Sequence, residues 1–489
     1  MNILMVSAEL APFAKVGGLA DVAEALSRSL AGRGHDVRVV LPLYGSLDRE
    51  RDKIRPLKKL SPLSLRVGGR MHDVRFHLRG SSSAAVKVYL VECAALYDGR
   101  GVYTDENGQG FADSLERAAL HSQAALLLPR LLDWPVDIVH AHDASGCPAL
   151  LYRDTWYNGR TLPGPGATVL TIHNLAHQEV HHPDSTEVLG VPRSLASYPG
   201  LLEFHGRLNL MKAGVLAADR VNTVSPNYAR ETVEDPGYGC GLEQILGSRG
   251  KEYTGILNGG DYRTWDPRRD PHLKKNYGPR RAADKAACRR DLVRRLKLKA
   301  VPEAPVCGFV SRLVSQKGVD LMLPIMGRLA EDGFCFAILG TGEKILEQEV
   351  RAVAAQYPDR IAFVDRFDEA LAHRIYAGSD LFLMPSAFEP CGLSQMYALR
   401  YGTPPVVRRT GGLADTVVDA ARNGGTGFVF DEARPEALLQ TLRRAEEVFV
   451  DKMAFAALQK QGMACEFSWA DAAAGYEELY EAALVRRRG

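Results

Sequence analysis

The sequence predicts an α/β protein made of two doubly wound domains, each built on a parallel sheet with helices on both faces. Three observations support this prediction. The chain has 489 residues, more than one hydrophobic core usually supports, so two domains of roughly 200 to 250 residues are expected. Short apolar runs alternate with helical stretches, which is typical of β-α units. The alternation then restarts in the second half of the chain.

The first half opens with the apolar run NILMVSAE and the helical stretch LADVAEALSRSLAGRG. Further strands are predicted at VRVVLP, VKVYLVE, VDIVHAHD, ATVLTIHN and RVNTVSP. These runs are short and continuously apolar, as expected for strands of a parallel sheet that is covered on both faces. We therefore assign residues 1–255 to a first domain.

The second half begins after YTGILNGGDY, with strands predicted at APVCGFVSRL, FCFAILGTG, RIAFVDRF, DLFLMPSAFEP, PPVVRRTGG and GTGFVF. We assign residues 256–463 to this second domain. In the remaining segment, 464–489, Trp469, Tyr476 and Leu479 recur at helical spacing, which predicts an amphipathic helix that packs against a domain.

The composition excludes several classes of function. It is 46% hydrophobic and 25% charged, which is ordinary for a soluble globular protein. The formal charge is only +2, and this argues against nucleic acid or a charged membrane as a partner. No apolar run reaches the roughly 20 residues that a membrane span needs, and no secretory leader is evident. The eight cysteines form no C-x-x-C pair, so we expect free thiols in a reducing cytoplasm.

The pentapeptide GGLAD occurs twice, at residues 17–21 and 411–415. Each copy follows a predicted strand and opens a predicted helix, with a cation just before it, Lys15 in the first and Arg409 in the second. Glycines allow close approach of a ligand, and the amides at a helix start favour an anion. A tight turn without a ligand would look the same, but its repetition in both halves favours two phosphate-binding loops at the carboxyl ends of the strands.

The stretch SRLVSQKG supplies two further cations. Arg312 and Lys317 lie five residues apart across a strand-to-helix turn, where both can reach one diphosphate. A guanidinium and an ammonium are complementary phosphate partners. Two solvated surface cations are the alternative, and the predicted proximity of Thr410, Gly411 and Gly412 favours phosphate binding.

The stretch DLFLMPSAFEPCGL places Glu389 on a loop at the ligand end of a strand, followed by Cys391, Gly392 and Leu393 at a helix start. A carboxylate that accepts sugar hydroxyls beside helix-start amides would hold a hexose next to its phosphate. A helix cap is the structural alternative for Glu389.

An ordered set of motifs carries a family resemblance from residue 2 to about residue 480. The motifs are KVGGLADV, HAHD, TIHN, TVSPNYARE, LNGGDYRTWDP, SRLVSQKG, FEPCGLSQMYALRYGTPPVVRRTGGLADTV and FSW. Together they resemble those of the bacterial glycogen synthases and plant starch synthases. The resemblance implies the GT-B architecture, in which two Rossmann-like domains face an interdomain cleft and the final helix crosses back to the first domain. It also implies a retaining transfer of glucose from ADP-glucose to the non-reducing end of an α-1,4-glucan such as glycogen, without a metal or other cofactor.

The resemblance also assigns roles to residues. From the first domain, Lys15 and the amides of Gly17 and Gly18 would meet the diphosphate, and Asp21 matches an acidic position of that loop. From the second domain, the diphosphate would meet Arg312, Lys317, Thr410 and the amides of Gly411 and Gly412. The glucose would contact Glu389, the backbone of Cys391, Gly392 and Leu393, and also Asn258 and His173, the last near the anomeric side. His142 and Asp143 would line the glucose and acceptor position.

The resemblance implies a same-face mechanism in which the leaving phosphate helps to deprotonate the incoming hydroxyl, with Glu389, His173, Arg312, Lys317, Lys15 and Asp143 carrying the reaction. No enzyme nucleophile is evident. Tyr397 stands where many related retaining transferases carry a second glutamate. Cys391 has no base partner in the local sequence, so a packing or backbone role is favoured.

Several positions depart from the family pattern. HAHDA carries Ala144 in place of an aromatic residue, which weakens the expected acceptor affinity, and HNLAHQE carries His177 in place of an aromatic and Glu179 in place of glycine. Phe367 falls at a tyrosine position and is expected either to stack on adenine or to lie in the core. Tyr97 and Tyr103 are expected to approach the glucan or to pack.

His173, His177, His181 and His182 also suggest a metal site, but zinc usually recruits further ligands in defined geometry, so no metal is expected. Three rival functions stay open at this point. They are the same transfer from UDP-glucose, a sugar-nucleotide epimerase, and an inactive glucan-binding protein.

Overall fold

The computed structural model describes residues 1–80, 85–106, 108–155 and 162–488. It divides into two compact units. The first contains residues 1–224, 229–256 and the segment from Trp469 onward, and the second contains residues 225–228 and 257–468. Residues 464–468 lie in the second unit. There the Phe467 carbonyl accepts a hydrogen bond from the Gly260 amide at 2.8 Å.

The first unit is built on a large mixed sheet and a small antiparallel sheet. Its strands are β1 (Asn2–Val6), β2 (Asp36–Pro42), β3 (Ile54–Pro56), β4 (Leu63–Val67), β5 (Arg70–Arg79), β6 (Val86–Glu92), β7 (Ile138–His142), β8 (Ala167–Ile172), β9 (Val180–His181), β10 (Glu203–Phe204), β11 (Arg207–Asn209), β12 (Arg220–Thr223) and β13 (Tyr253–Gly255). The large sheet has the order β13-β12-β8-β7-β1-β2-β6-β5-β3, with β4 paired to β5, and the small sheet has the order β10-β11-β9.

Helices connect these strands. They are α1 (Gly18–Gly32), α2 (Ala94–Tyr97), α3 (Ser114–Leu131), α4 (Asp143–Thr155), α5 (Thr186–Leu189), α6 (Leu210–Ala217), α7 (Pro226–Glu234), α8 (Pro236–Gly239) and α9 (Glu243–Ser248), with short 3-10 helices at Pro183–Ser185, Arg193–Ala196 and Gly250–Glu252. Neighbouring strands from β13 to β6 pair in parallel, as the alternation of strands and helices predicts.

The second unit is built on a parallel sheet. Its strands are β14 (Val306–Val310), β15 (Cys335–Leu339), β16 (Ile361–Val364), β17 (Leu381–Met384), β18 (Pro405–Arg408) and β19 (Phe428–Phe430). Its helices are α10 (Lys285–Arg295), α11 (Val319–Glu331), α12 (Lys344–Gln356), α13 (Glu369–Gly378), α14 (Ser394–Arg400), α15 (Gly411–Thr416), α16 (Pro435–Val450) and α17 (Lys452–Ala464), with 3-10 helices at Pro279–Asp284 and Ser315–Lys317. The strand order is β16-β15-β14-β17-β18-β19.

Both faces of this second sheet are buried, because successive side chains of a strand point to opposite faces. In β15, Phe336 and Ile338 belong to one hydrophobic cluster, while Cys335, Ala337 and Leu339 belong to the other. This arrangement confirms the inference from the short, continuously apolar runs.

The last helix, α18 (Trp469–Arg488), packs within the first unit against α1, β8 and β12. Trp469, Tyr476 and Leu479 are all buried, as their helical spacing predicts. None of the helices in the described parts of the chain has both the length and the apolar composition that crossing a bilayer requires.

The antiparallel strands of the first unit were not predicted. Strand β5 pairs antiparallel with β3, β4 and β6, and its exposed and buried residues alternate. Its sequence, RMHDVRFHLR, carries charged residues at the exposed positions apart from Met71. A half-exposed strand of this kind lacks the continuous apolar run by which the parallel strands were recognised.

Candidate active site

The first glycine loop leaves an open surface at the start of α1. A Cβ atom added to Gly18 would meet nothing within 4 Å, and one added to Gly17 would come no closer than 4.0 Å to Glu9. Neither glycine has the left-handed backbone that disfavours other residues. The packing of the described chain therefore gives no reason for glycine at these positions, whereas close approach of a ligand would.

Glu9, which the sequence analysis missed, holds this loop. Its Oε2 accepts hydrogen bonds from the amides of Val16 at 2.7 Å and Gly17 at 2.8 Å, and its Oε1 accepts one from the Tyr103 hydroxyl at 3.0 Å. The amide of Gly17, which was predicted to meet the diphosphate, is therefore engaged by a buried carboxylate. The signal for Glu9 was an acidic residue at the end of the first strand's apolar run.

Lys15 and Asp21 of the same loop form an ion pair at 2.7 Å. Their side chains are 52% and 39% exposed, so both groups remain accessible to a ligand. The pair positions the lysine at the helix start without burying its charge.

Asp143 and His173 lie together at the carboxyl ends of β7 and β8. Asp143 opens α4 with a left-handed backbone, φ 54°, and its Oδ1 accepts a hydrogen bond from the His173 amide at 2.7 Å. Burial of the carboxyl group raises the pKa of Asp143 to about 7. The two residues that were predicted to line the sugar are thus adjacent, and the carboxyl group titrates near neutral pH.

His142, which was predicted to line the glucose position, is fully buried. Its ring contacts His173, with 3.0 Å between His142 Nδ1 and His173 Nε2. Burial lowers the pKa of His142 to about 3 and holds the pKa of His173 well below its ordinary value. Both rings are therefore neutral, and one donates a hydrogen bond to the other.

In the second unit, Lys317 and Glu389 pair with each other. Lys317 follows β14 and Glu389 follows β17, and these strands are neighbours in the sheet. The ammonium lies 2.9 Å from Oε1 and 2.7 Å from Oε2 of the glutamate. The Ser386 hydroxyl also donates to Oε2, at 3.0 Å. The predicted phosphate cation and the predicted sugar carboxylate thus form one cluster, at the edge of the sheet where ligands bind in α/β folds.

Arg312 and Phe367 are the exposed members of the donor set that was predicted in the second unit. Arg312 follows β14 and its residue is exposed. Phe367 follows β16 and is 88% exposed. That exposure excludes the core position which was the alternative for Phe367, and leaves its ring available for stacking.

The second glycine loop packs against protein, unlike the first. A Cβ atom on Gly411 would clash with the Glu389 carbonyl oxygen, and one on Gly412 with the Cys391 carbonyl oxygen. The Gly412 amide donates to the Glu389 carbonyl at 3.1 Å, so this amide does not face outward for a diphosphate as predicted. Thr410 is also fully buried. The glycines here allow two loops of the same unit to touch.

The aspartates of the two pentapeptides differ as well. Whereas Asp21 pairs with Lys15, Asp415 accepts hydrogen bonds from the Ser225 hydroxyl and from the Asn227 amide, the latter at 3.1 Å. These contacts tie residues 225–228 to the second unit. Two identical pentapeptides therefore have different structural roles.

The Cys391–Leu393 turn is held by Gln395, another residue that the sequence analysis missed. The Gln395 amide donates to the carbonyls of Cys391 and Gly392, both at 3.0 Å. Burial raises the pKa of the Cys391 thiol to about 12, which agrees with a packing role. Asn258 is 4% exposed, and its Oδ1 has no hydrogen-bond partner within the described residues. Gln395 lies within the motif FEPCGLSQMYALRYGTPPVVRRTGGLADTV, but a glutamine in a motif does not by itself indicate which backbone groups its side chain will bind.

The two predicted acceptor-side tyrosines divide between packing and exposure. Tyr97 is 1% exposed, and its hydroxyl donates to the Arg117 carbonyl at 2.8 Å. Tyr103 is 38% exposed.

The described residues contain no group of three or more histidine, cysteine or acidic side chains arranged to hold a metal ion. His181, one of the four histidines considered, pairs with Glu179 at 2.9 Å.

Two family models match the chain. The family described as the starch synthase catalytic domain matches residues 2–248, and the family described as glycosyl transferases group 1 matches residues 294–448. The two matches fall on the two halves in which strands and helices alternate.

Among curated proteins, a glycogen synthase of Anaeromyxobacter sp. (strain Fw109-5) is 44% identical over 483 residues, which cover 98% of this chain and 99% of the relative. Glycogen synthase 2 of Geobacter sulfurreducens is 40% identical over 496 residues and the full length of both chains.

Among solved structures, the catalytic domain of starch synthase IV from Arabidopsis thaliana, bound to ADP and acarbose, superposes with a TM-score of 0.88, 31% identity and 99% coverage of each chain. A sucrose-phosphate synthase from Thermosynechococcus elongatus, at 16% identity and a TM-score of 0.61, shares the fold. These comparisons confirm the GT-B fold that the motifs implied. The chain therefore belongs to the glycogen and starch synthase family and is a glycosyltransferase with the GT-B fold.

Proposed function

We propose that the chain transfers glucose from ADP-glucose to the 4-hydroxyl at the non-reducing end of an α-1,4-glucan, with retention of configuration. The observation that carries this proposal is the cluster of Lys317, Glu389 and Ser386. It sets a phosphate-binding cation and a carboxylate for sugar hydroxyls one hydrogen bond apart, which suits a hexose attached to a phosphate.

The donor phosphates would be bound by cations. Arg312 is exposed and follows β14, while Lys317 forms an ion pair with Glu389. These side chains, with Lys15, would stabilise the negative charge that develops on the departing ADP, so that no metal is required. The bare surface beside Gly18 is a second place where a phosphate can approach a helix start.

The base would be held by Phe367, whose exposed ring can stack on adenine. ADP in the starch synthase IV structure supports an adenine nucleotide as the donor. The neutral ring of His173 and the carboxyl group of Asp143 would contact the glucose and the acceptor. In this same-face mechanism the departing phosphate oxygen takes the proton of the incoming hydroxyl as the new glycosidic bond forms.

The experiment is to measure nucleotide release from purified protein that has been treated with a chelator. ADP-glucose and UDP-glucose are each offered with and without glycogen. We expect ADP release that depends on glycogen and does not depend on added metal. UDP release that depends on glycogen would keep the mechanism but change the donor.

Two other outcomes would reject the proposal. These are absence of nucleotide release and nucleotide release that does not depend on glycogen, and either would favour the epimerase or the glucan-binding protein.

We also propose a cytoplasmic location, since all eight cysteines, which lie within the described residues, are free thiols.

A further inference from the structure

A cavity of about 140 Å³ lies in the first unit, and its wall includes Tyr103, whose hydroxyl donates to Glu9. That is about ten times the volume that one water molecule needs, and it gives room for a single sugar ring. The walls include the aromatic rings of Tyr97, Tyr103 and Phe111 and the polar groups of Ser114, Arg117 and Glu179. Aromatic faces combined with a few polar groups are typical of a site for a small polar ligand.

Glu179 is the unusual member of this wall. The resemblance gives glycine at this position, and the structure supplies the reason, because the backbone here is left-handed with φ 54°. Such a conformation is costly for a residue other than glycine. Glutamate therefore occupies a position whose backbone conformation favours glycine.

Only one oxygen of the Glu179 carboxylate accepts hydrogen bonds from the described residues. Its Oε2 accepts hydrogen bonds from the Ser114 hydroxyl at 3.0 Å and from His181 Nε2 at 2.9 Å. Its Oε1 accepts none from the described residues. Burial raises the pKa of Glu179, but the His181 and Ser114 hydrogen bonds outweigh that effect, so the pKa lies below its usual value. The group is ionised at neutral pH, with one oxygen left for a ligand.

The opposite change occurs at Ala144, where the resemblance gives an aromatic residue. Ala144 is 2% exposed, and its neighbour Ser145 forms part of the cavity wall. Compared with the family pattern, this chain lacks an aromatic side chain at Ala144 and has an additional carboxylate at Glu179, in the wall of the cavity. A glucosyl unit is rich in hydroxyl donors, for which a carboxylate oxygen is a strong acceptor.

We propose that Glu179 is a specificity-determining residue for the acceptor, and that it binds one glucosyl unit in this cavity by accepting a hydroxyl hydrogen bond at Oε1. This inference rests on the proposed function, which supplies the glucan. It explains why a carboxylate is kept at a position with a backbone suited to glycine.

The test compares Glu179→Gly with the unaltered protein. Glycine suits the left-handed backbone, so the variant is expected to fold, and its melting temperature verifies this. We expect the acceptor KM for maltotetraose to rise about tenfold, corresponding to the loss of one hydrogen bond to a charged group. The KM for the nucleotide sugar should change less than twofold. Glu187→Gln, at an exposed glutamate paired with Arg193, is the matched control and should leave both constants unchanged.

A binding measurement separates this inference from the proposed function. Calorimetric titration with maltotetraose, without any nucleotide sugar, needs no turnover. Weaker binding to Glu179→Gly than to the unaltered protein would support the inference even if neither donor were consumed. Equal binding by the two proteins, or an equal acceptor KM, would overturn it and leave Glu179 a purely structural residue.

Discussion

At the scale of single residues, several polar groups are bonded to each other where a ligand is expected. Lys317 is bonded to both oxygens of Glu389, and Glu9 accepts the Gly17 amide. Each pair keeps a polar group hydrogen-bonded and oriented while it is buried. A phosphate or a sugar hydroxyl would then bind to side chains that are already oriented, and binding would not have to order them.

The first prediction concerns Lys317. We expect Lys317→Ala to lower kcat/KM for the nucleotide sugar by about a hundredfold or more, because a cation facing the leaving phosphate is lost. Steady-state kinetics with varied donor measure this effect. Lys344→Ala, at an exposed lysine at the start of α12, is the control. Kinetics like those of the unaltered protein would remove Lys317 from the diphosphate site.

The second prediction concerns Asp143 and pH. Its folded-state pKa is raised from 3.8 to about 7, so the folded protein holds this proton more tightly than the unfolded chain does. The resulting contribution to stability is present at low pH and is lost as the pH rises from about 4 to about 7. Asp143→Asn keeps an oxygen for the His173 amide and cannot ionise.

We therefore expect Asp143→Asn to raise the melting temperature, relative to the unaltered protein, more at pH 8 than at pH 4. Asparagine also tolerates the left-handed backbone at this position. Asp98→Asn, at an exposed aspartate, should show no such difference. An equal effect of Asp143→Asn at both pH values would contradict the assigned titration.

At the scale of elements, helix α18 contributes two tyrosine hydroxyls to a buried hydrogen-bond network with side chains of β7, β8 and β12. Thr171 donates its hydroxyl proton to Asn222 at 2.7 Å, so it accepts the bond from His140 Nε2 at 2.7 Å. Burial holds the pKa of His140 well below its ordinary value, so the ring is neutral and Nδ1 is an acceptor. Tyr480 of α18 therefore donates its hydroxyl to His140 Nδ1, at 2.9 Å.

The third prediction follows from this chain of hydrogen bonds. Tyr480→Phe leaves the fully buried His140 Nδ1 without a donor, which should lower the free energy of unfolding by about 1–3 kcal/mol. Urea unfolding measures the change. Tyr198→Phe removes a hydroxyl from a side chain that is 88% exposed and should stay within about 0.5 kcal/mol of the unaltered protein. Equal stability of both variants would show that the bond contributes nothing.

The fourth prediction uses the two glycine loops as a matched pair. Gly18→Ala meets open space, so the fold should keep its stability while the donor KM rises several-fold, because a methyl group blocks the approach of a phosphate. Gly412→Ala places a methyl group against the Cys391 carbonyl and should lower stability by about 1–3 kcal/mol. Thermal unfolding and donor kinetics of both variants test the contrast. Loss of stability in Gly18→Ala would argue against an open ligand surface.

At the scale of the whole molecule, the first unit is assembled from both ends of the chain. Its last helix joins β8 and β12, and His35 and Arg33 bind Glu477 of that helix at 2.7 and 2.6 Å. In contrast, the two hydrophobic clusters described for the second unit contain no residue beyond Met463. The two units therefore depend on the terminal helix to different degrees.

The fifth prediction is that a chain ending at Ser468 loses protection in the first unit only. Without Tyr480 and Tyr476, buried polar groups of β7, β8 and β12 become exposed, whereas the sheet of the second unit keeps its core. Hydrogen exchange of backbone amides measures this region by region. Unchanged protection of β8 would contradict the role assigned to α18, and lost protection of β14 would contradict the independence of the second core.

Much of the fold was determined by the sequence alone. Strands buried on both faces must be apolar throughout, so the parallel strands were visible as runs such as β15 and β17. The amphipathic spacing of Trp469, Tyr476 and Leu479 likewise predicted a packed helix. The ordered motifs indicated the family, because ligand-binding loops have a restricted choice of residues.

Only the tertiary structure decided what each loop contacts. The two copies of GGLAD have the same local preferences, yet Gly18 faces open space and Gly412 touches the Cys391 carbonyl. Two other contacts likewise join segments that are far apart in the chain. They are the contact of the buried His142 ring with His173 and the ion pair of Lys317 with Glu389. Hydrogen bonds and steric contacts act through space, and local spacing carries no information about which distant residue will lie opposite.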